Sequence, residues 1–195
     1  MNAIVRSLIA ACALGLAGCA PQIVKVDSGA HQVGQRLVVD IDGAWNKLDP
    51  TRTSPAQVWS MEGFFVDTLS LFSDVKDGNI MHRKSPESAK VKDVAFHAGM
   101  QPEELVSMFE ALYSRDQSVV TVTKSEPYPF AGRPGVRFEF ERIRKSDNVR
   151  LLGVGFASID NGLLYAMVYQ APRLAFFPRH KDRVEAIARS AQIRG

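Results

Sequence analysis

The sequence predicts an α+β fold, an antiparallel sheet meander covered by amphipathic helices in an α/β/α sandwich. Three observations carry this expectation. Four strand-like runs follow one another after residue 117, an Asp160-Asn161-Gly162 turn joins the last two, and an amphipathic helical stripe lies on either side of the series.

Taken in order, residues 20–34 contain Pro21, Ser28, Gly29 and Gly34 with few large apolar groups, and read as a tether. Within them Ile23, Val24 and Val26 hint at an edge strand. Leu37-Val38-Val39 before Asp40 suggests a strand, and residues 44–48 a short turn or helix around Trp45. Residues 57–61, the pair Glu62-Gly63 and the run 64–72 fit a hairpin, although Phe64, Phe65, Thr68, Leu69 and Phe72 also mark a helical stripe. Residues 76–93 are polar, carry Gly78 and Pro86, and read as a long surface loop.

A helix is predicted over 102–115. Pro102 suits the first helical position, Glu103 and Glu104 complement the positive end of the dipole, and Leu105, Met108, Phe109, Leu112 and Tyr113 share one face. Strands are predicted at 118–124, 135–144, 149–159 and 163–171. In the second, Val136, Phe138 and Phe140 point one way, while Arg137, Glu139 and Glu141 point the other, toward water. Asn161-Gly162 accepts the positive φ angles of a tight hairpin, so the last two strands are antiparallel neighbours. The closing stretch 181–193 places Val184, Ile187, Ala188 and Ala191 on one face of a second helix.

The first eighteen residues have a different character. A basic start ending at Arg6 precedes an apolar run of about ten residues, too short for a membrane span, and Leu16-Ala17-Gly18-Cys19 follows. The tetrad resembles a bacterial lipobox, which implies cleavage before Cys19 and lipid on its sulfur. A rival box, Ile9-Ala10-Ala11-Cys12, leaves too short an apolar region. The expected organisation is a signal peptide at 1–18, a lipidated tether at 19–34 and one α+β domain at 35–195. Ala20 after the cysteine resembles the pattern of enterobacterial lipoproteins sorted to the outer membrane, where the domain would face the periplasm.

Of the 195 residues 46% are hydrophobic and 23% charged, which is ordinary for a globular chain. A formal charge of +3, reduced by one when Arg6 leaves with the signal, is too weak to imply a nucleic-acid partner. No metal-ligand spacing links His31, His82, His97 and His180, and these are expected on the surface. GxSxG and SxxK signatures are absent, and Gly153-Val154-Gly155 lacks the third glycine of a nucleotide loop. Asp40 with Asp42, and Glu139 with Glu141, have the spacing of paired glycosidase carboxylates on a strand, but also that of a solvated strand face. No cofactor is expected.

Trp59 with Glu62-Gly63, Glu126-Pro127 before Phe130-Ala131-Gly132, Val136-Arg137-Phe138-Glu139-Phe140, Asn161-Gly162-Leu163-Leu164-Tyr165 and the last helix with Ser190 together resemble the PsbP-like superfamily over residues 36–193. That resemblance implies an antiparallel sheet sandwiched by helices, and an accessory or assembly role rather than catalysis. Photosynthetic members of the superfamily are extrinsic subunits of the oxygen-evolving photosystem.

The expected role is thus a non-enzymatic, lipid-anchored envelope protein that binds another envelope protein. Tyr128, Phe130 and Arg133 in one loop, and Phe176, Phe177 and Arg179 in another, form the candidate partner surface, since aromatic residues with Arg dominate interface hot spots, while the competing reading has Phe130, Phe176 and Phe177 close the ends of the core. Basic residues from Arg173 to Arg194 offer a further face for anionic lipid, but Asp182 and Glu185 dilute the patch and favour a solvated helix face. Two alternatives are an envelope hydrolase with carboxylates gathered from separate strands, and a small-ligand carrier with a pocket lined by Phe138, Phe140, Tyr165 and Tyr169.

Overall fold

Alternation along the central strands decides which residues meet which cover, and it places every other element. The structure, a computed structural model, describes residues 23–48, 55–82 and 91–194. In chain order the described strands are β1 (Ile23–Val26), β2 (Gly29–Val33), β3 (Leu37–Ile41), β4 (Trp45–Leu48), β5 (Ala56–Ser60), β6 (Thr68–Val75), β7 (Val119–Pro127), β8 (Gly135–Ile143), β9 (Arg150–Asp160), β10 (Leu163–Pro172) and β11 (Gln192–Ile193). Two helices are described, α1 (Pro102–Ser114) and α2 (Phe176–Ser190). Eight strands make one sheet in the order β1-β4-β5-β6-β10-β9-β8-β7, and β11-β3-β2 make a second. All pairings are antiparallel.

β10 shows the logic. Tyr165, Met167, Tyr169 and Ala171 face a core that also takes Trp45, Trp59, Phe156 and, from α2, Phe177, Val184 and Ile187. Leu164, Ala166 and Val168 face the opposite core with Phe138, Phe140 and, from α1, Leu105, Met108 and Phe109. The helical layers expected from the sequence reduce to one helix on each face. β2, β3 and β11 complete the cover on the α2 side, and the segment around Met81 and Phe96 does so on the α1 side.

Glycine sets the spacing between β8 and β9. Phe138 lies opposite Gly155 and Phe140 opposite Gly153, and each ring rests where a Cβ would stand, with a closest approach of 2.2 Å at Gly155 and 2.1 Å at Gly153. The rings therefore lie flat over the neighbouring backbone and stack on α1 through Phe109 and Tyr113, at 5.5 Å each.

Several expectations from the sequence change. The tether does not extend to Gly34: Ile23–Val26 pairs with β4 as the edge strand hinted at, and Gly29–Val33 pairs with β3. Residues 44–48 contain a strand, because Trp45 must reach the α2-side core. The hairpin of β5 and β6 is present, but its second strand starts at Thr68 and residues 64–66 form a turn. Of the expected loop 76–93, Met81 is buried and its N–H donates to the Val94 carbonyl, so this part packs as cover; residues 83–90 lie outside the described residues. The last helix starts at Phe176, not Lys181, and takes in the aromatic stretch expected to be a loop. The Arg137 and Glu139 face meets α2 instead of water.

Gly155→Val is expected to expel the Phe138 ring from its seat and cost roughly 1–3 kcal/mol as overpacking. A thermal melt should register this as a midpoint lower by about 2 °C or more; an unchanged midpoint would mean that the ring does not depend on the missing side chain.

Candidate functional site

A charged side chain caught between packed layers must find partners there, because burial without them is costly. Three such clusters organise this molecule. The first is the loop between β5 and β6. Asp67, 1% exposed, accepts hydrogen bonds from Ser60 Oγ at 2.6 Å, from the N–H groups of Met61 and Glu62 at 3.2 and 2.8 Å, and from Tyr169 Oη at 3.4 Å. Burial and the Asp67 charge both push the Tyr169 hydroxyl pKa upward. Beside it Glu62 accepts from His180 Nε2 at 2.8 Å and Arg179 at 3.2 Å. The His180 bond does most to lower the Glu62 pKa.

The second cluster joins the two sheets. Ser73 and Asp74 stand together opposite Tyr165 in a bulge between β6 and β10, with Asp74 at φ +56°. The Asp74 carboxylate accepts from Ser73 Oγ, Tyr165 Oη, Arg36 Nε and the Gln35 N–H at 2.6–3.0 Å. Burial alone would raise its pKa, but these donors outweigh it and bring the group down to about 2. Burial and the neighbouring carboxylate push Tyr165 up to about 12.

The third cluster fastens α2 to the sheet. Arg137, 7% exposed, donates to Glu139 at 2.6 Å, Glu185 at 2.7 Å and Glu126 at 3.2 Å, and lies over the Phe156 ring. Lys181 also donates to Glu139, at 3.1 Å. Burial opposes the Glu139 charge, yet Arg137 and Lys181 prevail and lower its pKa. A glycosidase acid needs the reverse shift. Its proposed companion Glu141 is exposed, Asp40 likewise, and Asp42 is ion-paired with Arg183 at 3.0 Å.

The sequence-derived site residues are dispersed. Cys19 lies outside the described residues. Phe130 is fully buried and Phe177 is 5% exposed, so both are core and neither can meet a partner directly. Tyr128 is half-buried against Phe156, and Arg133 is ion-paired with Asp160 at 2.6 Å. Phe176 is half-buried beneath the Arg179 guanidinium. The two stretches touch different rungs of the β9 and β10 pair, with Phe130 accepting from Ser158 and Phe177 stacking on Tyr169. They do not form one surface. The ligand pocket also fails: Phe138 and Phe140 face α1, whereas Tyr165 and Tyr169 face α2, and all four are buried on opposite sides of one sheet.

The four histidines are apart as well. His31 bonds to the Asp27 carbonyl, His97 pairs with Asp77, His82 with Asp93, and His180, which is buried, with Glu62. Among the described residues no group of three or more His, Cys, Asp or Glu side chains is placed to hold a metal ion. The basic C-terminal region is largely neutralised by Glu62, Glu139, Asp42 and Glu185.

One feature was missed. Phe65, 91% exposed, and Leu174, 87% exposed, protrude at the same end of the main sheet. Phe65 sits in a Phe64-Phe65-Val66 run that looks like strand, and Leu174 opens the apolar run Leu174-Ala175-Phe176-Phe177 that leads into the last helix. Only the turns that place them outside the core reveal them.

Asp74→Asn should keep the positive φ, which Asn tolerates, while losing about 2 kcal/mol of stability at neutral pH. Because the folded pKa of Asp74 is depressed, its contribution is complete above about pH 4 and fades as pH falls toward 2. Urea midpoints measured across that window should converge for the two proteins. Arg137→Ala removes the cation shared by Glu126, Glu139 and Glu185 and should cost about 3 kcal/mol at pH 7; because Arg137 helps to lower the Glu126 and Glu139 pKa values, the deficit should narrow as falling pH protonates those two groups, and a constant deficit would show that only packing was lost.

No protein-family model and no curated protein sequence matches this chain. A solved structure does: the cyanobacterial PsbP (CyanoP) of Synechocystis sp. PCC 6803, with a TM-score of 0.53, 13% identity, and coverage of 92% of this chain and 96% of that one. At that identity the likeness concerns the fold, and the fold of this chain is PsbP-like.

Proposed function

We propose that this protein is a membrane-tethered envelope lipoprotein that acts as a non-enzymatic binding or assembly accessory. The observation that carries the proposal is the spacing between the Leu16-Ala17-Gly18-Cys19 box and the first strand, which begins at Ile23. Only three residues, Ala20, Pro21 and Gln22, separate the lipid-bearing cysteine from the first strand, a reach of at most about 14 Å over four Cα steps, so lipid on Cys19 would hold the domain against its membrane. Acyl chains of that kind anchor lastingly when two or more are present. Among the described residues no helix is long and apolar enough to cross a membrane, and lipid on Cys19 would supply the attachment instead.

Support for an accessory role comes from the PsbP-like fold and from the use of the charged clusters. Asp74, Glu139 and Glu62 all have lowered pKa values and are consumed in joining layers. The outer membrane, on its periplasmic side, is the proposed location. Mass spectrometry of the native protein should find an N-terminal peptide starting at acylated Cys19, and Cys19→Ser should release the domain from membranes. A free thiol at Cys19, or an intact leader, would overturn the proposal.

A further inference from the structure

A trough runs along α1, between the helix and residues 91–100, which pass beside it in the opposite direction. At one end Arg115, which follows the helix, donates to the Lys92 carbonyl; at the other Met100 leads into the helix and Glu104 stands in its first turn. From Glu104 to Arg115 the helix rises about 16 Å. Val91, Val94, Ala95, Met100, Met108 and Ala111 make the walls apolar, and Val91 at the rim is 39% exposed. The volume, about 610 Å³, is that of a small-molecule site, and the two methionines adapt readily to an occupant. Most polar groups of the lining are already used. Ser107 and Ser114 donate to helix carbonyls, His97 pairs with Asp77, and Glu104 accepts from the Gln101 N–H at 2.8 Å. Lys92 and Arg115, at one end, have no carboxylate partner among the described residues. The acids beside them in the chain are engaged, Asp93 with His82 and Asp116 with Arg142.

We propose that this trough binds a free single-chain fatty acid, its carboxylate at Lys92 and Arg115 and its chain lying over Ala111 and Met108 toward Met100. Dodecanoate has about the required length. The unpaired cations select an anionic head, and the apolar walls select a hydrocarbon tail. A peptide would leave its amides facing α1, whose backbone groups are spent within the helix, whereas a hydrocarbon chain has no such groups to satisfy. Glu104 at the far end repels a second carboxylate, so the site discriminates a monocarboxylate from a dicarboxylate of equal length. The assignment draws on neither Cys19 nor its lipid.

The test uses the native protein in a lysate of its own cells, depleted of ATP so that a photo-crosslinking dodecanoate is not esterified. A saturable adduct within residues 91–115 is expected, displaced by unlabelled dodecanoate roughly tenfold more readily than by dodecanol or dodecanedioate. Ala111→Phe, which places a ring in the trough from an exposed position on α1, should abolish the adduct. Lys92→Glu should lower its yield by roughly tenfold while Arg115 keeps its bond to the Lys92 carbonyl. In the protein with Lys92→Ala and Arg115→Ala together, dodecanoate and dodecanol should compete equally. An unchanged thermal midpoint confirms that each variant folds. Absence of a saturable adduct, an adduct elsewhere in the chain, one that survives Ala111→Phe, or one insensitive to the charges at 92 and 115 would each overturn the proposal. So would dodecanedioate competing as well as dodecanoate.

Discussion

Burial of the central strands on both faces is the constraint from which the rest of this structure follows. β9 and β10 carry apolar side chains toward both sides, and neither face of the pair is left to water. A sheet built this way needs two covers, and each cover needs a close fit. On one side Gly153 and Gly155 let two phenyl rings lie on the backbone, where α1 can pack over them. On the other, larger groups, Tyr165, Met167 and Tyr169, project farther and are met by α2 and by a second small sheet.

Covering a face also encloses any charge it holds, and the paired clusters follow from that. Arg137 projects to the α2 side among apolar neighbours, so its charge is balanced by Glu139 beside it and by Glu185 from the helix. Asp74 projects from a bulge and is answered by Arg36 from the turn between β2 and β3. In both cases one partner comes from the sheet and the other from its cover, so the pairing fixes how the layers sit more than it adds stability.

Much of the fold was legible in local pattern. The hairpin at Asn161-Gly162, the strands around it and the helix beginning at Pro102 depend on turn chemistry and on periodicity within one segment. Elements defined by distant partners were not. β1, β2 and β4 are strands of four or five residues with mixed polarity, and β1 and β4 pair across a gap of about twenty residues. Local composition cannot announce such a pairing. The aromatic residues at 130 and 177 could be read either way for a related reason: flanking Pro, Gly and Arg fit exposed loops, the rings fit the ends of a core, and packing turned the side chains inward.

The sequence by itself determined the α+β class, the meander of the last four long strands and the absence of a recognisable catalytic motif, since each is a matter of residues near one another along the chain. It also contains the Leu16–Cys19 box on which the proposed membrane attachment stands. Tertiary structure alone decided which polar strand face would be enclosed, which histidine would be buried and which apolar residues would remain outside. Those outcomes depend on what packs across each face, and a cover contributed by residues far away in the chain leaves no mark on the local pattern it covers.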